Sequence, residues 1–210
     1  FRIGQGYDVH QLEEGRDFWL GGIKIDHSQG AKGHSDADVL CHAIADALLG
    51  AIGELDIGHH FPNSDESIRG ISSLEILRKV ASLVHQANSR AVNVDATLIA
   101  EAPKIAPYAT TMCANIAADL GVDSTCVNVK GKTTEKLGFT GRGEGIAAQA
   151  VVVAIDAALA EHRQRLVDEG ADDAAGEEAA AVVDDDRGLA DGQRVVEDAG
   201  QCLVRCLLAL

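Results

Sequence analysis

Gly33-His34-Ser35-Asp36-Ala37-Asp38-Val39-Leu40-Cys41-His42-Ala43-Ile44-Ala45-Asp46 is the stretch on which the reading of this chain turns. Ser35 followed three residues later by Asp38 is a capping-box-like start. Leu40, Ile44, Ala47 and Leu48 then recur at helical spacing, which predicts a helix with an apolar face ending near Gly50 or Gly53. On such a helix Asp38, His42 and Asp46 form one polar stripe beside the buried face. A rigid element then aims His42, and Asp38 or Asp46 is placed to orient it. Taken alone, the helix fits a solvated stripe with a lone surface histidine equally well, so the decision rests on the residues upstream.

Upstream, residues 2–10 predict a short strand kept slim by Gly4 and Gly6. Side chains two apart share a strand face, so Asp8 and His10 point the same way while Val9 points into the other layer. That is half of a metal site. Asp8, His10 and His42 together offer one carboxylate and two imidazoles, a donor set suited to zinc, and three protein ligands leave the fourth position open, as catalytic zinc requires.

Composition bounds the rest. A chain of 210 residues with 46% hydrophobic content supports one domain with a real core. No run approaches eighteen apolar residues, and the opening Phe1-Arg2-Ile3 lacks the regions of a signal peptide, so neither a spanning segment nor secretion is expected. The missing initiator Met points to a trimmed N-terminus, which leaves a plastid-targeting peptide or a fused upstream domain open; a bacterial source implies the cytoplasm. A net charge of −15 disfavours nucleic acid and anionic membranes as partners. Five cysteines without disulfide-rich spacing fit a reduced compartment, and Cys202 and Cys206 have a spacing zinc sites use but lack a second pair of ligands.

Downstream, residues 20–25 read as a hairpin-like continuation with Trp19 packed beside it. Residues 54–65 carry Gly, Pro, Asn and Ser and read as a surface loop, in which adjacent His59 and His60 diverge too far to share an ion. A second helix is expected over 73–87, with Leu74, Leu77, Val80, Ala81 and Val84 inward, and a strand over 92–100. A proline-bounded turn, 101–107, leads to a third helix over 108–120 that stops at Gly121. Strand 126–130 enters Gly131-Lys132-Thr133, which looks like the end of a P-loop but lacks the required earlier glycine, since position 126 is Cys. Gly141-Arg142-Gly143-Glu144-Gly145 likewise fails as a dinucleotide fingerprint and reads as a tight turn into a central buried strand over 146–155, with a short closing helix to about 162. Residues 163–210 hold 12 of the 33 acids and few large apolar side chains, which predicts a mobile acidic tail after a domain spanning 1–162.

A second chemical cluster gathers near the end of that domain. Glu135 is a candidate ligand for magnesium or manganese together with substrate phosphates, and Thr133 and Thr134 offer hydroxyls to anionic oxygens. Lys104, Lys132 and Arg142 supply positive charge for a polyphosphate in an otherwise acidic chain.

These motifs carry a resemblance. Gly6-Tyr7-Asp8-Val9-His10, His34-Ser35-Asp36-Ala37-Asp38 with His42, Asp56-Ile57-Gly58, Phe61-Pro62-Asn63-Ser64-Asp65, Ala102-Pro103-Lys104 and the run from Lys132 to Gly145 follow in order over residues 2–160 and resemble the 2-C-methyl-D-erythritol 2,4-cyclodiphosphate synthases. The resemblance implies an α/β (α+β) single-domain subunit with a mixed sheet covered by helices and a ferredoxin-like character. It also implies a homotrimer with active sites at subunit interfaces. The implied reaction cyclises 4-diphosphocytidyl-2-C-methyl-D-erythritol 2-phosphate with release of CMP, in the non-mevalonate route to isoprenoid precursors.

On this chain the resemblance assigns zinc to Asp8, His10 and His42, and magnesium or manganese to Glu135. It assigns transition-state stabilisation to His34 and Thr133, and the methylerythritol-phosphate part to Ser35, Asp56, Ile57 and Gly58, with Phe61, Asn63 and Asp65 beside it. Cytidine recognition falls to Ala100, Pro103, Lys104, Ile105 and Ala106. Lys132 and Thr134 join the substrate-binding residues, and Phe139 and Arg142 match positions near the phosphates and a central channel that can hold an isoprenoid diphosphate. The loop departs from the usual pattern in that Asn63 stands where Asp is usual, which predicts altered affinity and retained activity. Two other functions fit the donor sets: a zinc phosphohydrolase, which would release inorganic phosphate, and a catalytically silent trimer that binds isoprenoid phosphates.

Overall fold

The computed structural model describes residues 1–158. The expectations for the acidic tail, for Cys202 and Cys206, and for most of the closing helix lie outside those residues. The chain runs β1 (Arg2–Glu14), β2 (Phe18–Leu20), β3 (Ile23–Ile25), β4 (Gln29–Ala31), α1 (Val39–Ile52), α2 (Ile57–His60), α3 (Ser73–Gln86), β5 (Ser89–Ile99), α4 (Ala109–Leu120), β6 (Val127–Lys132), α5 (Gly138–Gly141) and β7 (Gly145–Asp156). It is an α/β structure. β2 and β3 pair as a separate two-stranded hairpin, and β1 runs four residues further than the sequence predicts.

α1 starts one turn later than expected. Its cap is Asp38, whose carboxylate accepts from the backbone N–H groups of Leu40 and Cys41, each at 3.2 Å, and also from Gly22 N–H at 2.8 Å. Asp38 is therefore fully buried at the helix start and belongs to no surface stripe. A carboxylate there satisfies donors that the helix itself leaves unpaired and sits at the positive end of the helix dipole. α1 ends at Gly53, which adopts the left-handed conformation that closes a helix with least strain. Between these ends Leu40, Ile44, Leu48 and Leu49 are fully buried, each worth about 1.5–3 kcal/mol of apolar burial. α3 buries Leu77, Val80, Ala81 and Val84, as its spacing predicts; Ile76 and the first residue, Ser73, are also buried, while Leu74 is only half-buried.

The main sheet has the order β4-β1-β7-β5-β6. β5 and β6 are parallel and the other neighbours antiparallel, so the sheet is mixed. β1, β5 and β6 consequently run the same way, and their C-terminal ends meet at one end of the sheet. In register, Gly4, Gly6, Asp8 and His10 lie opposite Val152, Ala150, Ala148 and Ile146. These even-numbered positions of β1 face α1. The approach is so close that a Cβ on Gly4 would stand 1.7 Å from the Ala47 carbonyl oxygen, and one on Gly6 2.0 Å from that of Ala43. Only a residue without a side chain fits there.

The other face is different. Ile3 (71% exposed), Tyr7 (53%), Val9 and Val151 present apolar side chains to solvent. β7 is central, as expected, but it alternates buried Ala148, Ala150 and Val152 with exposed Gln149 and Val151, so its near-continuous apolar sequence reflects one face against α1 and one open face. Beside the hairpin, Phe18 and Leu20 do the packing, and Trp19 is half-exposed. His59 and His60 end the one-turn helix α2 with their rings edge to face, a local helix where a loop is expected.

Replacing Gly6 by Ala must push α1 away from β1. The expected result is destabilisation by at least about 1–3 kcal/mol, the usual cost of overpacking, read as a drop in the urea midpoint at unchanged slope.

Candidate functional site

The contact between β1 and α1 brings three ligand atoms together. Asp8 Oδ2 lies 2.9 Å from His42 Nδ1 and 3.0 Å from His10 Nε2, and the two ring nitrogens are 3.1 Å apart. Among the described residues this is the one cluster of three such ligands. A tetrahedral ion with bonds of about 2.0–2.1 Å spans ligand–ligand edges of roughly 3.3 Å, so slight spreading of this triangle accommodates zinc. The protons agree. His10 Nδ1 is 2.8 Å from the Lys32 carbonyl oxygen, which can only accept, so Nδ1 carries the proton and Nε2 offers a lone pair. Nε2 and the Asp8 oxygen then meet as two acceptors, an arrangement that only a shared proton or a cation reconciles.

Electrostatics point the same way. Burial opposes ionisation of Asp8, but when the two rings are charged their hydrogen bonds and charge outweigh it and hold its pKa well below the usual carboxylate range. Burial likewise opposes charging of His10, yet the hydrogen bond to Asp8, its charge and the Lys32 carbonyl raise its pKa. The cluster is a site that demands positive charge.

It opens into a cavity of about 760 Å³. His34, Ser35, Ile57, Gly58, Phe61 and Asn63, all singled out in the sequence, line it alongside the triad. Asp56 and Asp65 do not. They act as caps beneath the loop instead: Asp56 accepts from His59 N–H at 3.0 Å and Asp65 from Ser67 N–H at 2.9 Å. Neither acid of α1 touches the His42 ring as expected. Asp38 is committed to the helix start, and Asp46 accepts from Ile57 N–H at 2.8 Å, tying α2 to α1. Burial and the neighbouring Asp56 and Asp8 charges raise the Asp46 pKa. The partners of His42 Nε2 are instead Ser73 Oγ at 3.0 Å and Ser35 Oγ at 3.1 Å.

The second cluster forms at the C-terminal ends of β5 and β6. Ala100 N–H donates to the Lys132 carbonyl at 3.0 Å, which ties the turn carrying Pro103, Lys104, Ile105 and Ala106 to the loop carrying Thr133, Thr134 and Glu135. Ile105 is buried against Gly131. Thr133 Oγ1 donates to Glu135 Oε1 at 2.6 Å, and Thr134 Oγ1 to the Leu137 carbonyl at 2.7 Å. Glu135 and Lys136 both have positive φ, 52° and 65°, a conformation that costs non-glycine residues about 1–3 kcal/mol each and persists only under restraint. The restraint is Glu101, whose Oε1 accepts from both Thr134 N–H and Lys136 N–H at 3.1 Å. Phe139 is partly exposed, and Arg142 forms a two-pronged ion pair with Glu144 at 2.7 and 3.0 Å.

The structure does not bring the two clusters into one cavity. Both sit at the same end of the sheet, but β1 and β6 are three strand spacings apart, about 14 Å at about 4.8 Å per strand. Of the cations expected at the phosphates, Lys104, Lys132 and Arg142 fall outside the cavity lining; Arg16, Lys32 and Arg69 take part in it. The sequence reading missed those three, along with Asp36, Ser73 and Glu101. A serine pair before an apolar helix was a usable signal for Ser73, Asp36 lies inside the His34–Asp38 motif and Glu101 inside the proline-bounded turn, whereas nothing in the pattern marked the three cations.

The YgbB family model matches residues 1–155. The 2-C-methyl-D-erythritol 2,4-cyclodiphosphate synthase of Chromobacterium violaceum is 61% identical over 151 residues, 72% of this chain and 96% of that relative. Its counterpart from Dechloromonas aromatica is 57% identical over 153 residues, 73% of this chain and 96% of its own length. Among solved structures, the bifunctional IspDF of Campylobacter jejuni superposes with a TM-score of 0.71 at 39% identity over 75% of this chain, which spans 43% of that longer one. A Plasmodium falciparum IspF–CDP complex gives 0.65 at 39% identity, over 74% of this chain and 96% of that one. The chain belongs to the YgbB family of 2-C-methyl-D-erythritol 2,4-cyclodiphosphate synthases.

Proposed function

We propose that this synthase is a metal-dependent, CMP-releasing lyase whose centre is the Asp8, His10 and His42 cluster. The observation that carries the reading is the convergence of those three ligand atoms within 2.9–3.1 Å on one wall of the cavity. The substrate's own 2-phosphate oxygen attacks the β-phosphorus, a new P–O bond closes the ring, and the P–O bond to the cytidylyl phosphate breaks with CMP leaving. Such a transfer needs positioning and neutralisation of charge more than a protein nucleophile. Asp8, His10 and His42 would hold a zinc ion, which would supply Lewis-acid polarisation of a phosphate oxygen.

The chain's own residues do the remainder. Arg16, Lys32 and His34 surround the cavity with groups that attract phosphate, and Ile57, Gly58 and Phe61 offer a surface for the methylerythritol carbon skeleton. Thr133 and Glu135 supply a hydroxyl and a carboxylate for the diphosphate and its magnesium or manganese. The turn at 100–106 presents backbone groups for cytosine, a reading supported by the CDP complex of the Plasmodium falciparum relative.

We assign the two clusters to one active site built between subunits of a homotrimer. Their separation across the sheet supports this, and so does the open apolar face of Ile3, Tyr7, Val9 and Val151. The family-model match ending at residue 155 supports a boundary between synthase domain and acidic tail near 162.

Phosphorus NMR with the diphosphocytidyl substrate, zinc and magnesium is the test. The cyclic diphosphate and CMP are expected, and His42→Ala is expected to lower turnover more than about 100-fold, as loss of a main charge-stabilising element does. Inorganic phosphate as the product would replace this reading with a hydrolase. Glu101→Ala releases the strained loop. Its expected effect is a rise of about tenfold or more in KM, or an equivalent fall in kcat, from two lost charge-assisted hydrogen bonds, with zinc content unchanged when measured by metal analysis.

A further inference from the structure

We infer that Ser73, held by Asp36, is a positioning residue that fixes His42 in the one tautomer able to ligate metal through Nδ1. The inference rests on the reading of Asp8, His10 and His42 as a metal centre.

Ser73 opens α3 and is fully buried. Among the described residues its hydroxyl has two hydrogen-bond partners: a carboxylate oxygen of Asp36, to which it donates, and His42 Nε2 at 3.0 Å. The same carboxylate accepts from the Ser73 backbone N–H at 2.9 Å and from Asp38 N–H at 3.2 Å. Asp36 thus performs for α3 the capping that Ser72 leaves undone, since the Ser72 side chain makes no cap hydrogen bond. A hydroxyl has a single proton. Because that of Ser73 goes to Asp36, its oxygen can only accept from the imidazole.

A neutral ring then carries its proton on Nε2, which leaves the Nδ1 lone pair facing Asp8 and His10. Ser35 Oγ also lies 3.1 Å from Nε2 and accepts from Ala37 N–H at 3.0 Å. Its own proton is not committed to a carboxylate, so Ser35 follows whichever tautomer Ser73 imposes. The arrangement mirrors His10, whose far nitrogen is fixed by the Lys32 carbonyl. Both histidines are thereby set with their lone pairs inward, one by a carbonyl and one by a serine relayed to a carboxylate. Outer partners of this kind typically contribute 10–100-fold to metal affinity.

Asp36→Asn breaks the relay without emptying the space. An amide presents donors on one side, so it meets either the Ser73 N–H or the Ser73 hydroxyl with a donor, and in the second case the hydroxyl proton turns toward His42 Nε2. Ser73→Ala removes the acceptor outright.

Two measurements on the full chain decide the matter. Long-range proton–nitrogen NMR of the metal-free protein, above the histidine titration range, is expected to show His42 protonated on Nε2. In both variants, with folding checked by circular dichroism, a substantial share is expected to move to the Nδ1-protonated form. Zinc affinity, measured by competition with a chromophoric chelator, is expected to fall 10–100-fold in both and by less in Ser35→Ala. An Nδ1-protonated His42 in the unaltered protein overturns the inference even if the variants fail to fold. Unchanged tautomer and affinity in folded variants also overturn it. Absence of zinc binding by the unaltered protein overturns the metal-centre reading instead, and the NMR result then judges the role of Ser73 by itself.

Discussion

Everything in this subunit depends on how closely a helix backbone lies on a strand backbone. Gly4 and Gly6 let the carbonyls of Ala43 and Ala47 approach where any side chain would collide. That contact sets the height of α1 above β1, and the height sets whether His42 reaches Asp8 and His10. A metal site tolerates displacement of only a few tenths of an ångström in its ligands. The small residues at this seam are therefore as necessary to the proposed metal centre as its ligands. The fully buried Leu40, Ile44, Leu48 and Leu49 press the helix down, and the Asp38 cap fixes where it begins.

The parts of this design that follow a period were legible in the sequence. Asp8 and His10 alternate with Val9 on a strand, His42 lies on a helix with a regular apolar face, and those two patterns suffice to propose the triad. Glu135 with the hydroxyls of Thr133 and Thr134, beside glycine-rich turns, marked the second cluster as well. What stayed hidden are contacts without a period. Ser73 meets Asp36 across 37 positions of sequence, and Glu101 reaches Lys136 across 35. A carboxylate that caps a helix elsewhere in the chain has no local signature. Asp38 shows the limit most clearly: its spacing to His42 suggested a shared surface stripe, but three backbone donors and complete burial claimed it for architecture.

The same tension between local rule and tertiary demand appears at Glu135 and Lys136. Neither residue type favours a left-handed backbone, and two in succession contradict propensity. Glu101 holds them there with a single oxygen, and Gly141 gives the Lys136 backbone room to pack. Strain concentrated at the carboxylate proposed to face a diphosphate is the pattern expected when geometry outranks local comfort.

The exposed sheet face has a thermodynamic consequence. A subunit that keeps Ile3, Tyr7, Val9 and Val151 in water forgoes several kcal/mol of apolar burial. In the homotrimer proposed above, the copies that cover that face would add their association free energy to folding by mass action, so resistance to heat would become a function of how much protein is in the tube. Dilution then acts on this fold as a denaturant does, and melting temperatures compare only at matched subunit concentration.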